Sequence, residues 1–184
     1  MGCRWADHAP IDVLCPLPFA LCPYIITTMS TPYEQHVGDR NPVEVLRESH
    51  DEYRALMPKF TSTQWSLPWQ PGKWTAQQIM VHVMQWEMIM GARLRLAVGQ
   101  PDYVVQPADQ DHLMGTEDVA LDGPTAFAAF EGMRRANVVF AAALSAEQRM
   151  KKVRHPERGE IDVEDILITL AGHGVHHLKQ FKTY

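Results

Sequence analysis

Apolar residues recur at three- and four-residue steps in four separate stretches of this chain, separated by stretches that are polar or rich in proline and glycine. That period gathers side chains on one face of an α-helix. The first stretch runs from Pro42 to about Phe60 and carries Val43, Leu46, Tyr53, Leu56, Met57 and Phe60 on its stripe. Asn41 is placed as N-cap with Pro42 at the first helical position, and Pro58 is expected to shorten the last turn. The second runs from Thr75 to Val98; Thr75 and Gln78 make a capping-box pattern, and Gly99 is expected to stop it. Gly91 inside it costs about 1 kcal/mol relative to alanine, which points to a close helix contact there. The third spans roughly Thr125 to Ala143, with Phe127, Phe130, Met133, Val138 and Phe140. The fourth, opened by Asp162, reaches Phe181. Four such segments without strand alternation predict an all-α fold, a four-helix bundle with helices near 42–60, 75–98, 125–143 and 162–181.

The connections read differently from one another. Residues 61–73 form a loop holding Trp65, Pro68, Trp69, Pro71 and Gly72. Residues 100–123 are too long for a simple bundle turn, and loops of that length often act as lids or contain a short helix. Residues 145–160 are basic and turn-rich (Lys151, Lys152, Arg154, Pro156, Arg158, Gly159), which reads as a solvated loop.

Two of the stripes carry histidine where a core residue is expected. On the last helix Ile166, Leu170, His173, His177 and Phe181 share a face, and His173 and His177 lie about 40° and one turn apart. Two histidines so placed can grip one metal ion. His176 could replace His177, because a three-residue step also keeps side chains adjacent, and spacing does not choose between them. A third ligand is available in His82, which shares a stripe with Ile79, Trp86, Ile89 and Met90. A single histidine on an apolar face is more often a core residue with one hydrogen bond. The coincidence of three in mid-stripe brings the metal reading level with that one. His50, between Leu46 and Tyr53, reads as a core or boundary residue rather than a fourth ligand.

Composition narrows the classes. The 184 residues suit one domain, and 46% hydrophobic with 21% charged residues is ordinary for a globular protein. A net charge of −5 gives no support for nucleic-acid binding, and no stretch approaches the ~20 apolar residues of a membrane span. The methionines at 80, 84, 88 and 90 are explained by flexible core packing. The three cysteines all fall in the first 22 residues, so they form no disulfide framework, and a reducing cytoplasm fits. Residues 1–28 differ from the rest: Val13 to Ile26 is apolar but broken by Pro16, Pro18 and Pro23, and Met29 opens a conventional-looking start. They are expected to be an unstructured extension, with the domain covering 29–184.

Pro71-Gly-Lys-Trp-Thr-Ala-Gln-Gln78, then His82 eight residues after Trp74, and the distant Gly172-His-Gly-Val-His-His-Leu178 resemble the DinB/YfiT-like family. The similarity runs from about Asn41 to Phe181 and leaves residues 1–28 outside it. The resemblance implies a DinB-like four-helix bundle, commonly a homodimer, holding a divalent metal, usually zinc or nickel, on three histidines. Carried over, these fall on His82, His173 and His177, with His176 as a non-ligand neighbour. Many members are called metal-dependent hydrolases, and relatives with assigned chemistry are bacillithiol or mycothiol S-transferases and maleylpyruvate isomerase.

Three neutral imidazoles leave an ion its full double charge and one or more open positions. Such an ion can lower the pKa of a water towards about 7, or hold a low-molecular-weight thiol as thiolate, so the ligands alone do not separate a hydrolase from a thiol S-transferase acting on a small molecule. Either needs a proton-transferring group, for which Glu87, Asp111 and His112 are candidates by type. The competing class is a non-catalytic metal-binding stress or interaction bundle, which a site exposing no cavity would favour.

Overall fold

The computed structural model describes residues 31–184. The expected extension, residues 1–28, lies outside the described residues. Four long helices form the body: α1 (Pro42–Leu56), α3 (Ala76–Gly99), α5 (Gly123–Ala142) and α7 (Val163–Phe181). Shorter helices α2 (Ser62–Ser66), α4 (Gln110–Leu113) and α6 (Ala146–Arg149) occupy the connections, and strands β1 (Lys152–His155) and β2 (Gly159–Asp162) precede α7. Both α1 and α3 pack against α5 and α7, so α1 and α3 stand at opposite corners of a bundle. The all-α four-helix-bundle class expected from the periodicity is what the chain adopts.

Local chemistry sets the helix ends. The Asn41 side chain accepts the Val43 N–H at 3.0 Å, with Pro42 in the first turn. Thr75 and Gln78 cap α3 reciprocally, and Asp162 and Asp165 do the same for α7. Pro58 ends the first α-helix early, the chain passing into a 3-10 turn over Met57–Lys59. The third long helix starts at Gly123, ahead of the expected Thr125, because Asp122 is its cap and accepts the Thr125 N–H at 2.7 Å.

The basic stretch 145–160 is not a solvated loop, and strand structure is present. It forms α6 and an antiparallel hairpin in which Val153 pairs with Ile161, both buried, while Gly159 turns the chain at φ 75°. Its charged residues alternate outward from four-residue strands, too short to register as a period. The long connection 100–123 contains α4 and docks on this hairpin through Val105 N–H to the Arg154 carbonyl at 2.8 Å.

The core has two apolar regions. One joins Leu46, Leu94, Leu167 and Leu170 to the hairpin's Val153 and Ile161, and the other gathers Tyr53, Phe130, Phe181, Met80 and Trp65. Met80, Met84 and Met90 are core residues as expected, whereas Met88 is 49% exposed. The helix α3 is buried on most of its circumference rather than on one stripe; Ile79 to Gln85 are all buried. No helix among the described residues is long and apolar enough to cross a membrane.

Candidate metal centre

Helices α3 and α7 bring three imidazoles to one point. The Nε2 atom of His173 lies 3.0 Å from His82 Nε2 and 3.1 Å from His177 Nε2, and all three residues are buried. A ring nitrogen carries one N–H or one lone pair in its plane, so His173 Nε2 cannot satisfy both neighbours by hydrogen bonding. One shared cation can. Nitrogens bound tetrahedrally at 2.0–2.1 Å from a single ion stand about 3.3 Å apart, close to the spacing found.

The rings are held in a suitable state. Gln180 Oε1 lies 2.7 Å from His177 Nδ1, so that nitrogen carries the hydrogen and Nε2 presents its lone pair inward. Burial lowers the His82 pKa to about 4. Burial, then the neighbouring imidazoles, push His173 well below its ordinary value. For His177 burial and His82 act in the same direction against the Gln180 contact. All three are therefore neutral near pH 7, the form that donates to a metal. His82 Nδ1 is buried without a hydrogen-bond partner among the described residues, and the His82 ring centroid lies 5.2 and 5.6 Å from those of Trp74 and Trp86.

Two glycines explain how His173 reaches that point. A Cβ on Gly172 would lie 2.4 Å from the Tyr33 carbonyl oxygen, and one on Gly174 would lie 2.7 Å from Arg134 Nη2. Tyr33 takes the left-handed conformation at φ 63°, uncommon for a non-glycine residue, and its ring meets the His173 edge at 5.3 Å. On the other side, Tyr53 Oη donates to the Gly174 carbonyl at 2.9 Å. The Gly-His-Gly turn is thus clamped between α1, α5 and the segment before α1.

Arg134 belongs to a buried polar cluster. Its Nη2 and Nε lie 2.8 and 2.9 Å from Glu87 Oε2, with both side chains 1% exposed. Asn137 Nδ2 donates to Glu87 Oε1 at 2.9 Å, and Arg134 Nη1 to Ser49 Oγ at 3.0 Å. Glu87 is therefore committed to an ion pair that ties α3 to α5, which removes it as a proton-transferring candidate. Asn137 is also the close contact anticipated at Gly91, where a Cβ would meet its side chain at 2.5 Å.

A cleft of about 520 Å³ opens beside His177, with Trp69, Trp74, Ile79, Asp111, His176 and Gln180 on its walls. Of the proton-transfer candidates, Asp111 lines this cleft, whereas His112 is 92% exposed at its side chain and lines a different groove with Ile89 and Leu96. His176 is half-buried, its ring tilted against those of Tyr33 and His36 with centroids 5.3 and 5.4 Å away, outside the convergent trio. His50 also stays apart, half-buried 6.4 Å from the Phe130 ring. Two contributors escaped the sequence reading. Gln180 sits one turn beyond His177, a spacing that could have marked it; Tyr33 precedes the first periodic segment, where no signal singles it out.

Residues 46–181 match the model of the DinB superfamily. A Bacillus cereus protein named "Putative metal-dependent hydrolase" is 23% identical over 135 residues, covering 73% of this chain and 78% of the relative. A Bacillus anthracis protein of the same name is 22% identical over the same shares. Among solved structures, YfiT from Bacillus subtilis, called "a probable metal-dependent hydrolase with an unusual four-helix bundle topology", superposes with a TM-score of 0.70 at 20% identity, covering 77% of this chain and 82% of that one. TT2238, called "a four-helix bundle protein", gives 0.53 at 22% identity over 78% and 97%.

Proposed function

Because the chain belongs to the DinB superfamily, we propose that it is a metal-dependent enzyme whose His82, His173 and His177 hold one divalent cation, zinc or nickel, for hydrolysis of a small molecule. The observation that carries the reading is the meeting of three buried, neutral Nε2 atoms within 3.0–3.1 Å steps beside an open cleft. A sealed trio would suit a purely structural ion; the cleft at His177 gives a substrate a way in. The names of the relatives support hydrolysis.

A divalent cation in that position supplies Lewis acidity, favouring the deprotonated form of a water or thiol that reaches it. The chain's own groups do the rest. Gln180 orients His177, the tyrosine and arginine contacts at Gly172 and Gly174 hold His173, and Trp74 and Trp86 cover His82. Asp111, an exposed carboxylate lining the same cleft, is our candidate to take up the proton released there. A thiol S-transferase would use the same ligands with a low-molecular-weight thiol in the cleft, and the enzyme is expected to work as a homodimer, which light scattering checks.

Metal analysis after loading with zinc or nickel tests the ligand set. His173→Ala and His177→Ala should each lose most of the bound metal, while His176→Ala should keep it. Metal lost from His176→Ala but retained by His177→Ala would reverse the assignment, and full metal in all three would make the histidines core residues. A panel of esters and amides, run beside conjugation of a generic electrophile with several low-molecular-weight thiols, then separates hydrolysis from S-transfer.

A further inference from the structure

A second cleft, of about 280 Å³, opens where the groove between α3 and α7 continues past the histidines towards the hairpin. Trp86, Met90 and Arg93 follow His82 at three- and four-residue steps along its α3 wall, and Ile166 and Thr169 precede His173 along its α7 wall. Tyr33 borders both this cleft and the one beside His177. Eleven residues separate His82 from Arg93, about 16 Å of helix.

The far end of the cleft holds two guanidinium groups with few polar partners among the described residues. Arg93 is 9% exposed; it donates to the Gln106 carbonyl and approaches Met90 Sδ at 3.4 Å, and among the described residues it forms no ion pair. The Arg158 side chain is 12% exposed, and its Nε is buried without a partner among the described residues. Among the described residues its Nη2 reaches only Thr31 Oγ1 at 3.4 Å and Asp165 Oδ1 at 3.8 Å, and that carboxylate oxygen already accepts from the Thr31 hydroxyl. A buried guanidinium is costly unless a planar acceptor meets its fork.

The other groups facing the cleft do not supply that acceptor. Asp109 is exposed and accepts the backbone N–H groups of Asp111 and His112 at 2.8 and 2.9 Å. Glu157 is exposed at the rim. His155 Nδ1 accepts the Glu157 N–H at 3.2 Å, and burial with the two arginine charges keeps this imidazole neutral.

We propose that this cleft binds the carboxylate end of an elongated apolar organic acid, whose other end reaches the histidine site. The proposal rests on reading that site as the reaction centre. Trp86, Met90, Ile161 and Ile166 form walls for an apolar body, and the two arginines that line the cleft offer planar donor forks to a carboxylate's oxygens. The rim acids Asp109 and Glu157 repel a dianion, so a carboxylate fits better than a phosphate.

The test is calorimetric titration of the full chain, both chelator-stripped and zinc-loaded, with 4-phenylbutyrate, its neutral counterpart 4-phenylbutanol, and inorganic phosphate. Saturable binding of the acid is expected in both forms, with the alcohol and phosphate at least tenfold weaker. Arg93→Gln and Arg158→Gln should each weaken the acid about tenfold or more, as expected for a lost charge-assisted hydrogen bond. Arg158→Lys keeps the charge without the fork; it should give an intermediate affinity, and it replaces Arg158→Gln should that variant not fold. No saturable acid binding, equal binding of acid and alcohol, tighter binding of phosphate, or wild-type affinity in the arginine variants would overturn the proposal. Arginine-dependent acid binding without metal uptake would instead remove the enzymatic reading and leave the acid site standing, while metal uptake without acid binding removes the subsite alone.

Discussion

Removing the cation of the Glu87–Arg134 pair is the sharpest probe of what ties α3 to α5. Both side chains are 1% exposed, and the two contacts of 2.8 and 2.9 Å fall on a single carboxylate oxygen. Arg134→Met keeps much of the apolar volume over Phe130 but leaves a buried carboxylate with Asn137 as its only side-chain donor among the described residues. Breaking a buried pair from one side costs roughly 3–5 kcal/mol. A stranded carboxylate escapes by taking up a proton, which for an ordinary glutamate costs about 3.7 kcal/mol at pH 7 and about 1 kcal/mol at pH 5. The expected loss is therefore about 3–4 kcal/mol at pH 7, or a drop in Tm of roughly 6–16 °C for a domain of this size. The difference from the parent protein should shrink by about 2–3 kcal/mol at pH 5. Urea unfolding of the parent, Arg134→Met, Glu87→Gln and the double variant at both pH values measures this. The double variant, carrying no unpaired charge, should be more stable than the sum of the single losses by at least 2 kcal/mol. Additive losses, or a loss for Arg134→Met that does not change with pH, would refute the account.

Acid should destabilise the metal-free protein through the histidines. Burial lowers their pKa values in the fold, so the unfolded chain takes up protons first, and the stability present above pH 6.5 is lost as the pH falls; His82, at about 4, accounts for roughly 2 kcal/mol between pH 7.5 and 5. A urea midpoint that stays flat over that window would show that the burial is not felt. Gly172→Ala should cost about 1–3 kcal/mol, because its Cβ meets the Tyr33 backbone, whereas Gly132→Ala, with open space around it on α5, should gain up to about 1 kcal/mol. Gln180→Ala should lower metal affinity about 10- to 100-fold in a chelator competition while leaving the fold intact, since it frees His177 to rotate or change tautomer.

Much of the bundle was legible from the chain because each long helix carries both a period and a cap. Asn41, Thr75 and Asp162 each stand where a side-chain acceptor precedes an apolar stripe, and each caps in the structure. The hairpin was not legible: four-residue strands give two buried positions apiece at most, and Val153 and Ile161 are diluted among charges. The buried cluster of Glu87, Arg134 and Asn137 was hidden for a related reason. A polar residue within a helix reads as solvent-facing unless its partner is known, and the partners here sit 47 and 50 residues apart.

The Gly-His-Gly motif shows how the site and the fold depend on each other. His82 and His177 could be found as histidines on apolar stripes, and His173 likewise, but the stripe gives no reason for the glycines on either side. Both lie in a helix, where each costs about 1 kcal/mol relative to alanine, so something must offset them. Gly172 admits the Tyr33 backbone and Gly174 admits Arg134. One contact brings in the segment whose ring borders both clefts, and the other brings in the buried ion pair that joins α3 to α5. His173 therefore occupies a turn of α7 held from both sides, and its Nε2 stands at the centre of the trio because the turn cannot rotate without breaking one of those contacts. The helical cost of two glycines is the signature of that clamp, legible only once the neighbours are in view.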